Sequence, residues 1–184
     1  MTRRGTLVLV VGPSGVGKDS IIAGAAARLR DDPRVVFARR LITRPADAGD
    51  EDHIAVSPAE FAAQRDAGGL MLHWHAHGLD YGLPQTLSGT LDKGHTVVAN
   101  VSRTVVTEAR RRLAPVLVIA ITAAPETLAA RLAARGRETA ADIAARLARS
   151  GALTPSDADV VIDNDGPLND AVDRFVAVLH RLVA

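Results

Sequence analysis

The chain has 184 residues, no cysteine, 3% aromatic residues and a formal net charge of +1. The lack of cysteine excludes disulfides and thiolate metal sites, and a near-neutral charge with few aromatic residues gives no basis for nucleic-acid binding. This length fits one α/β domain, and no apolar segment approaches the ~20 residues that a membrane-spanning helix needs, so we expect a soluble, cytoplasmic protein.

A phosphate-binding loop follows the first predicted strand. Residues 7–11 form an apolar run, residues 12–19 read GPSGVGKD, and an alanine-rich helix is predicted near 20–30. This order is typical of loops whose backbone N–H groups cradle nucleotide phosphates, while the lysine, here Lys18, reaches the outer phosphates. The predicted nucleotide-binding residues are Gly12, Pro13, Ser14, Gly15, Val16, Gly17, Lys18, Asp19 and Ser20.

Asp19 stands where this motif has Ser or Thr, whose hydroxyl contacts Mg²⁺. We expect the Asp19 carboxylate, with Ser20 beside it, to contact Mg²⁺ directly or through a water, because Mg²⁺ accepts carboxylates and keeps several waters. The alternative is that Asp19 caps the helix and complements its dipole.

Strands then alternate with helices. Apolar runs lie near 35–42, 96–101, 115–122 and 159–162, and helical spacing near 104–113, 125–135, 139–149 and 168–182. This alternation predicts a parallel sheet flanked by helices, with the ligand beyond the carboxyl ends of the strands. Between about 43 and 95, several glycines surround short apolar pieces, which indicates an inserted substrate-binding subdomain within a single domain of 1–184.

A basic cluster, Arg39, Arg40 and Arg44, opens the insertion at the end of the 35–42 run. Guanidinium groups bind phosphate in bidentate fashion, and Pro45 favours an extended Arg44 whose side chain projects into the cleft. Arg40 and Arg44 are therefore predicted substrate ligands. The alternative is a solvated surface, or ion pairs with Asp47, Asp50, Glu51 and Asp52.

Residues 72–82 hold three histidines, the single tryptophan and the single tyrosine. In a strand, His73, His75 and His77 would share one face. Zinc is disfavoured because no carboxylate or cysteine pattern at ligand spacing accompanies them. We expect His77 and Tyr81 to donate hydrogen bonds to a sugar or phosphate, and we assign Trp74 to packing.

Polar residues follow the predicted strand at 96–99. Asn100 and Arg103 are predicted to face the cleft and bind substrate, although a plain surface charge is the alternative for Arg103. Ser102 is predicted to cap the next helix, since no His and Asp partners follow that would make it a nucleophile.

Arginines recur between 127 and 149. Arg131 and Arg135 lie one helical turn apart, and Gly136 breaks that helix. We expect a lid over about 126–150, in which Arg131, Arg135 and Arg137 neutralise charge on the moving phosphoryl group. The alternative is a solvated face paired with Glu126, Glu138 and Asp142.

In this order, the GPSGVGK loop, the TRP segment at 43–45, the YG pair at 81–82 and RLxxRG at 131–136 resemble the guanylate kinase family over nearly the whole chain. The resemblance implies a P-loop kinase that uses ATP and Mg²⁺, with Asn164 in a loop against the adenine ring. A turn formed by Asn-Asp-Gly explains Asn164 equally well.

The positions that read guanine in that family differ here. Asp47 and Gly49-Asp50 replace an arginine and a Gly-Glu pair, Leu72 or His73 replaces a glutamate, Leu83 replaces a hydroxyl residue, and Asn100 replaces an aspartate. Leaving the polar edges of a base unpaired costs about 1–3 kcal/mol each, so guanylate is not expected to be a good substrate.

GKDS at 17–20, ITRPADAG at 42–49 and WHAHGLDYG at 74–82 resemble more closely the ribose 1,5-bisphosphate phosphokinase branch, which serves phosphonate catabolism. That resemblance implies transfer of the ATP γ-phosphoryl group to ribose 1,5-bisphosphate, giving 5-phosphoribosyl 1-diphosphate (PRPP) and ADP. A nucleoside monophosphate kinase and a non-catalytic interaction module stay open as alternatives. The sequence leaves the oligomeric state open, a homodimer included, and predicts a small phosphorylated partner rather than nucleic acid or membrane.

Overall fold

The computed structural model describes residues 3–48, 51–134 and 157–184. Its helices and strands, in chain order, are β1 (Leu7–Val11), α1 (Lys18–Arg28), β2 (Val35–Phe37), β3 (Leu41–Ile42), β4 (Ile54–Ala55), α2 (Pro58–Asp66), β5 (Leu70–Ala76), β6 (Leu79–Pro84), α3 (Leu87–Asp92), β7 (Thr96–Asn100), α4 (Val106–Arg112), β8 (Val116–Thr122), α5 (Pro125–Ala134), β9 (Val160–Asp163) and α6 (Leu168–Val183). A 3-10 turn over Arg103–Val105 precedes α4. None of the helices within the described ranges is long and apolar enough to cross a membrane.

Five parallel strands form the main sheet, in the order β2-β7-β1-β8-β9. All five residues of the central strand β1 are buried. Successive side chains point to opposite faces, so Leu7 and Leu9 join one core and Val8 and Val10 join the other. Burial on both faces is the physical reason for the uninterrupted apolar run of β1.

Helices cover both faces of this sheet. On one face, α1 contributes Ile21 and α6 contributes Val172 and Phe175 to the core of Val8 and Val10. On the other face, Val106 and Ala109 of α4 pack with Leu7 and Leu9. The predicted parallel sheet flanked by helices is thus confirmed.

A second, four-stranded sheet has the order β4-β3-β6-β5. β5 and β6 form an antiparallel hairpin closed by His77 and Gly78, which both have positive φ. Met71, Trp74 and Leu83 from these strands join the core formed by one face of the main sheet. The second sheet therefore packs directly against the main sheet, and its strands begin at Leu41, just before the segment predicted as an insertion.

The prediction of one strand over 35–42 is wrong. The backbone N–H of Ala38 still donates to Val98 in the main sheet at 2.8 Å, whereas the carbonyl of Arg40 accepts from Ile54 in the second sheet at 2.8 Å. The chain changes sheets between these residues, so Arg39 and Arg40 lie in the connection between β2 and β3, and Arg44 follows the end of β3. The helix predicted over 139–149 lies outside the described residues.

Helix α2, on the second sheet, begins with a capping box. Ser57 Oγ accepts from the Glu60 backbone N–H at 3.2 Å, and Glu60 Oε2 accepts from the Ser57 backbone N–H at 2.7 Å. These hydrogen bonds lower the pKa of the Glu60 carboxyl. Two donors at the helix start are satisfied reciprocally, which fixes where α2 begins.

Candidate active site

A cleft of about 310 Å³ lies between the carboxyl ends of the main sheet and the second sheet. One wall is the phosphate loop (residues 12–19) and the end of β7, including Asn100. The opposite wall carries Arg40, Arg44, Glu51 and Tyr81. The sequence predicted a ligand beyond the strand ends, and an open polar cleft lies there.

The phosphate loop turns on its glycines. Gly17 has φ +95° and is the N-cap of α1, and a Cβ added to it would lie 2.6 Å from the side-chain Nδ2 of Asn164. Lys18 folds back over the loop, where its Nζ donates to the carbonyl oxygens of Gly12 at 2.7 Å and Pro13 at 2.9 Å. A left-handed residue at the helix start lets the loop curl around an anion next to the positive end of the helix dipole.

Asp19 lies exposed in the first turn of α1 and lines the cleft. Its Oδ1 accepts a hydrogen bond of 2.7 Å from Nδ2 of Asn100, the last residue of β7. The N-cap of α1 is Gly17, without a side-chain capping hydrogen bond. The Asp19 carboxylate is therefore turned toward the strand end rather than toward the backbone of its own helix.

One carboxylate, that of Glu51, contacts two of the three arginines in the basic cluster. Arg40 is buried, and its guanidinium donates to both oxygens of Glu51, from Nε at 2.7 Å and from Nη2. Arg44 Nη2 lies 3.7 Å from the same carboxylate. Arg39 pairs instead with Asp52, at the edge of the cluster. The arginines therefore form ion pairs, which is the alternative that the sequence left open. Arg40 and Arg44 nevertheless also line the cleft.

Arg44 keeps one donor for a ligand. Its Nε is buried and has no hydrogen-bond partner among the described residues, although Arg44 lines the cleft. A buried donor on a charged group is expensive to leave unpaired, and an anionic oxygen entering the cleft would satisfy it.

Glu51 and His53 were not predicted as site residues. His53 is 5% exposed, and its ring nitrogens lie 2.9 Å from the backbone oxygen of Glu51 and 3.2 Å from that of Arg44. The ring thereby ties the backbone of Arg44 to the turn that carries Glu51. The sequence signal for these two residues is an acidic turn that ends in a histidine, directly after the basic cluster. From the sequence alone, the acidic residues were interpreted only as ion-pair partners that would occupy the arginines.

Trp74 and Tyr81 stack with ring centroids 5.5 Å apart and planes 5° apart. Both are buried, so the assignment of Trp74 to packing is confirmed, while Trp74 also lines the cleft. The Arg40 guanidinium lies 5.0 Å from the Tyr81 ring centroid. Burial raises the pKa of the Tyr81 phenol, and the charges of Arg40 and Arg44 partly offset this rise. The hydroxyl is a neutral donor at physiological pH.

The three histidines do not share one strand face, so that expectation is wrong. Strand β5 ends at Ala76, which leaves His73 and His75 exposed on the strand and places His77 in the turn with φ +53°. His77 lines the cleft, and His75 Nδ1 lies 2.8 Å from Asp80 Oδ1. Within the described ranges, no group of three or more His, Cys, Asp or Glu side chains could hold a metal ion.

Ser102 caps the 3-10 turn, since its Oγ accepts from the Thr104 backbone N–H at 3.3 Å, and this prediction is confirmed. Arg103 is exposed at the start of the turn, and it is not among the residues that line the cleft. The structure therefore brings Arg40, Arg44, His77, Tyr81 and Asn100 together without Arg103.

A side hollow of about 290 Å³ lies on the other side of the phosphate loop, lined by Gly15, Gly17, Ser20, Arg131, Ala134, Asn164 and Leu168. Asn164 is buried, and its Nδ2 donates to the Val16 carbonyl at 2.8 Å. Arg131 donates to the carbonyls of Asn164 at 2.7 Å and Val16 at 3.3 Å. Asn164 Oδ1 is buried without a hydrogen-bond partner in the described part of the chain. Arg135 and Arg137 lie outside the described residues.

The chain resembles known proteins along nearly its entire length. It is 54% identical over 181 residues to the ribose 1,5-bisphosphate phosphokinase of Acidiphilium cryptum, covering 98% of this chain and 96% of that protein. It is 52% identical over 176 residues to the protein of the same name from Methylobacterium radiotolerans, covering 96% and 98%. No family model matches the chain.

Among solved structures, a guanylate kinase from Anaplasma phagocytophilum has a TM-score of 0.73 at 21% identity, covering 98% of this chain and 87% of that chain. At this identity the likeness shows the fold alone, a P-loop kinase fold, which agrees with the parallel sheet and phosphate loop described above. The much higher identity to the sequence relatives extends over the loop, both sheets and the cleft. The chain therefore belongs to the ribose 1,5-bisphosphate phosphokinase family.

Proposed function

We propose that this protein transfers the γ-phosphoryl group of ATP to ribose 1,5-bisphosphate, giving 5-phospho-α-D-ribose 1-diphosphate and ADP. The name of its relatives supports this acceptor. The observation that carries the proposal is the Nε of Arg44, which is buried without a partner among the described residues, on a residue that lines one cleft together with the phosphate loop. A hydrogen-bond donor for an acceptor phosphate in the same cleft as a loop for ATP supports a phosphate group as the acceptor.

Residues 12–20 would hold the ATP phosphates. Lys18 would exchange the carbonyl oxygens of Gly12 and Pro13 for phosphate oxygens, which are stronger acceptors because they are charged. The side hollow lies on the far side of the loop from the acceptor wall, and the Oδ1 of Asn164, which has no partner among the described residues, supports placing the adenine ring there. A carbonyl oxygen accepts from the exocyclic amine that adenine carries.

The oxygen groups beside the phosphate loop are suitable ligands for Mg²⁺. Asp19 and Ser20 present a carboxylate and a hydroxyl beside Lys18, and Mg²⁺ binds one or two such groups while keeping waters and phosphate oxygens as its other ligands. When bound, the ion would neutralise charge that develops on the phosphates during transfer.

Arg40, Arg44, His77 and Tyr81 would hold the sugar bisphosphate, with a protonated Tyr81 hydroxyl as a neutral donor. Arg103 stays a proposal for the same role, from a position at the rim. Glu51 would orient Arg40 through its paired hydrogen bonds. Asn100 was predicted to contact the substrate as well, and its Nδ2 donates a hydrogen bond to Asp19 Oδ1.

The chemistry needs no strong base. An acceptor phosphate oxygen is already an anion at neutral pH, so it attacks the γ-phosphorus while the bond to the ADP oxygen breaks. Positioning and charge neutralisation supply the catalysis. Lys18 and the lid arginines Arg131, Arg135 and Arg137 would serve this purpose, and Arg131 already lies against the loop through the Val16 carbonyl.

An assay of ADP release tests the proposal, with ribose 1,5-bisphosphate, GMP, dTMP and gluconate offered separately at saturating ATP and Mg²⁺. We expect turnover with ribose 1,5-bisphosphate and at least ~100-fold lower kcat/KM with the others. Turnover of GMP alone would overturn the proposal in favour of a nucleoside monophosphate kinase. No turnover of any acceptor by folded protein would favour an interaction module.

We assign the reaction to phosphonate catabolism in the cytoplasm.

A further inference from the structure

We infer that Asn100 is a positioning residue that fixes the Asp19 carboxylate for Mg²⁺. We further infer an exchange of residue types, in which the carboxylate that other P-loop kinases carry at the strand end stands at the helix start in this chain. The inference rests on the proposed function, because it assumes that ATP binds with Mg²⁺ at the phosphate loop.

The usual P-loop arrangement uses two protein groups. A Ser or Thr after the loop lysine supplies a hydroxyl, and an aspartate at the end of a nearby strand supplies a carboxylate. In this chain the residue after Lys18 is the carboxylate, Asp19, and the residue that ends β7 is the amide, Asn100. One negative charge is kept, and it has moved from the strand end to the helix start.

The strand register brings the two positions together. β7 lies beside β1 with Asn100 opposite Val10, just before the phosphate loop begins. From there, Asn100 Nδ2 reaches Asp19 Oδ1 at 2.7 Å, between residues 81 positions apart in the chain. The contact is a side-chain hydrogen bond between an amide and an ionised group, which is stronger than one between neutral groups.

The chemistry of the pair explains why the exchange needs both residues. An ionised carboxylate only accepts hydrogen bonds, so the amide must present its NH₂ to Asp19. Asp19 lines the cleft where Mg²⁺ would bind, and that bond holds one of its carboxylate oxygens, which leaves the other oxygen for the ion. An ionised aspartate at position 100 has no proton to donate, so Asp19 would lose the hydrogen bond that orients its carboxylate.

The test compares four proteins: wild type, Asp19→Ser, Asn100→Asp and the double variant. The affinity for ATP is measured by calorimetry across a Mg²⁺ titration, without any acceptor. We expect each single change to raise the Mg²⁺ concentration for half-maximal binding about tenfold to a hundredfold. The double variant restores the usual hydroxyl and carboxylate and should return to within about threefold of wild type.

A double variant that needs as much Mg²⁺ as the weaker single variant would overturn the inference. Asn100→Ala gives a second measurement that does not depend on the exchange. This variant should need more Mg²⁺ for half-maximal ATP binding, while its ATP affinity without Mg²⁺ and its Tm stay near wild type. If the ATP affinity without Mg²⁺ and the Tm fall as well, Asn100 has a merely structural role. Ser102→Ala, also at the cleft, is the control. Because no acceptor is present, these results stand apart from failure of the ribose 1,5-bisphosphate assay.

Discussion

Arg44→Ala should weaken binding of the acceptor far more than it affects folding. Within the described residues Arg44 Nε is buried without a partner, and Nη2 makes long contacts, 3.4 Å to His53 Nδ1 and 3.7 Å to the already paired Glu51. The native state therefore loses little when this side chain is removed. A hydrogen bond to a charged group contributes about 1.5–3 kcal/mol, and each ~1.4 kcal/mol changes a binding constant tenfold. The KM for ribose 1,5-bisphosphate should therefore rise roughly 10- to 150-fold.

Steady-state ADP release at saturating ATP measures this KM, and thermal unfolding measures Tm. Arg65→Ala is the matched control, because Arg65 pairs with Asp66 on α2, away from the cleft. Arg44→Lys keeps the charge and loses the planar fork, so its KM should fall between wild type and Arg44→Ala. An unchanged KM in Arg44→Ala, or an equal rise in the KM for ATP, would refute the placement of the acceptor phosphate at Arg44.

Four further changes probe the loop and the scaffold. Lys18→Met should lower kcat at least ~100-fold, as loss of one charge-stabilising donor does, and a tenfold or smaller loss in kcat would contradict its role. Gly17→Ala should lower stability by about 1–2 kcal/mol and weaken ATP binding, because φ is +95° and the new Cβ meets Asn164 Nδ2; an unchanged Tm would contradict this. Ser57→Ala should cost about 1 kcal/mol by chemical denaturation without changing any KM. The backbone N–H of Ser57 donates a hydrogen bond to the Glu60 carboxyl and lowers its pKa. The stability that this hydrogen bond contributes is therefore present above the unfolded pKa near 4.5 and is lost as the pH falls below it. Glu60→Gln should therefore show a shallower fall in Tm below pH 4.5 than wild type, and parallel curves would contradict the assignment.

The phosphate loop could be read from the sequence because its chemistry is local. Strand, glycine turn, lysine and helix are consecutive, and their geometry follows from residue types that allow little else. The alternation of buried positions in β1 likewise follows from burial on both faces.

Features that depend on distant partners could not be read in the same way. The run 35–42 is apolar except for Arg39 and Arg40, and composition does not say that its backbone changes hydrogen-bond partners from Val98 to Ile54 within three residues. Asp19 and Asn100 were each noticed as departures from a family pattern, but their contact depends on the register of β7 beside β1. Glu51 was visible as an acidic residue, and only the folded turn shows that it holds Arg40.

The central claim is that a phosphate oxygen, not a hydroxyl, receives the phosphoryl group in this cleft. Phosphorus-31 NMR of the reaction of ribose 1,5-bisphosphate with ATP tests it directly. We expect loss of the 1-phosphate monoester resonance and growth of two mutually coupled diphosphate resonances on the sugar, in step with ADP. A new monoester resonance beside an intact 1-phosphate would contradict it, as would ADP formation at the same rate without the acceptor.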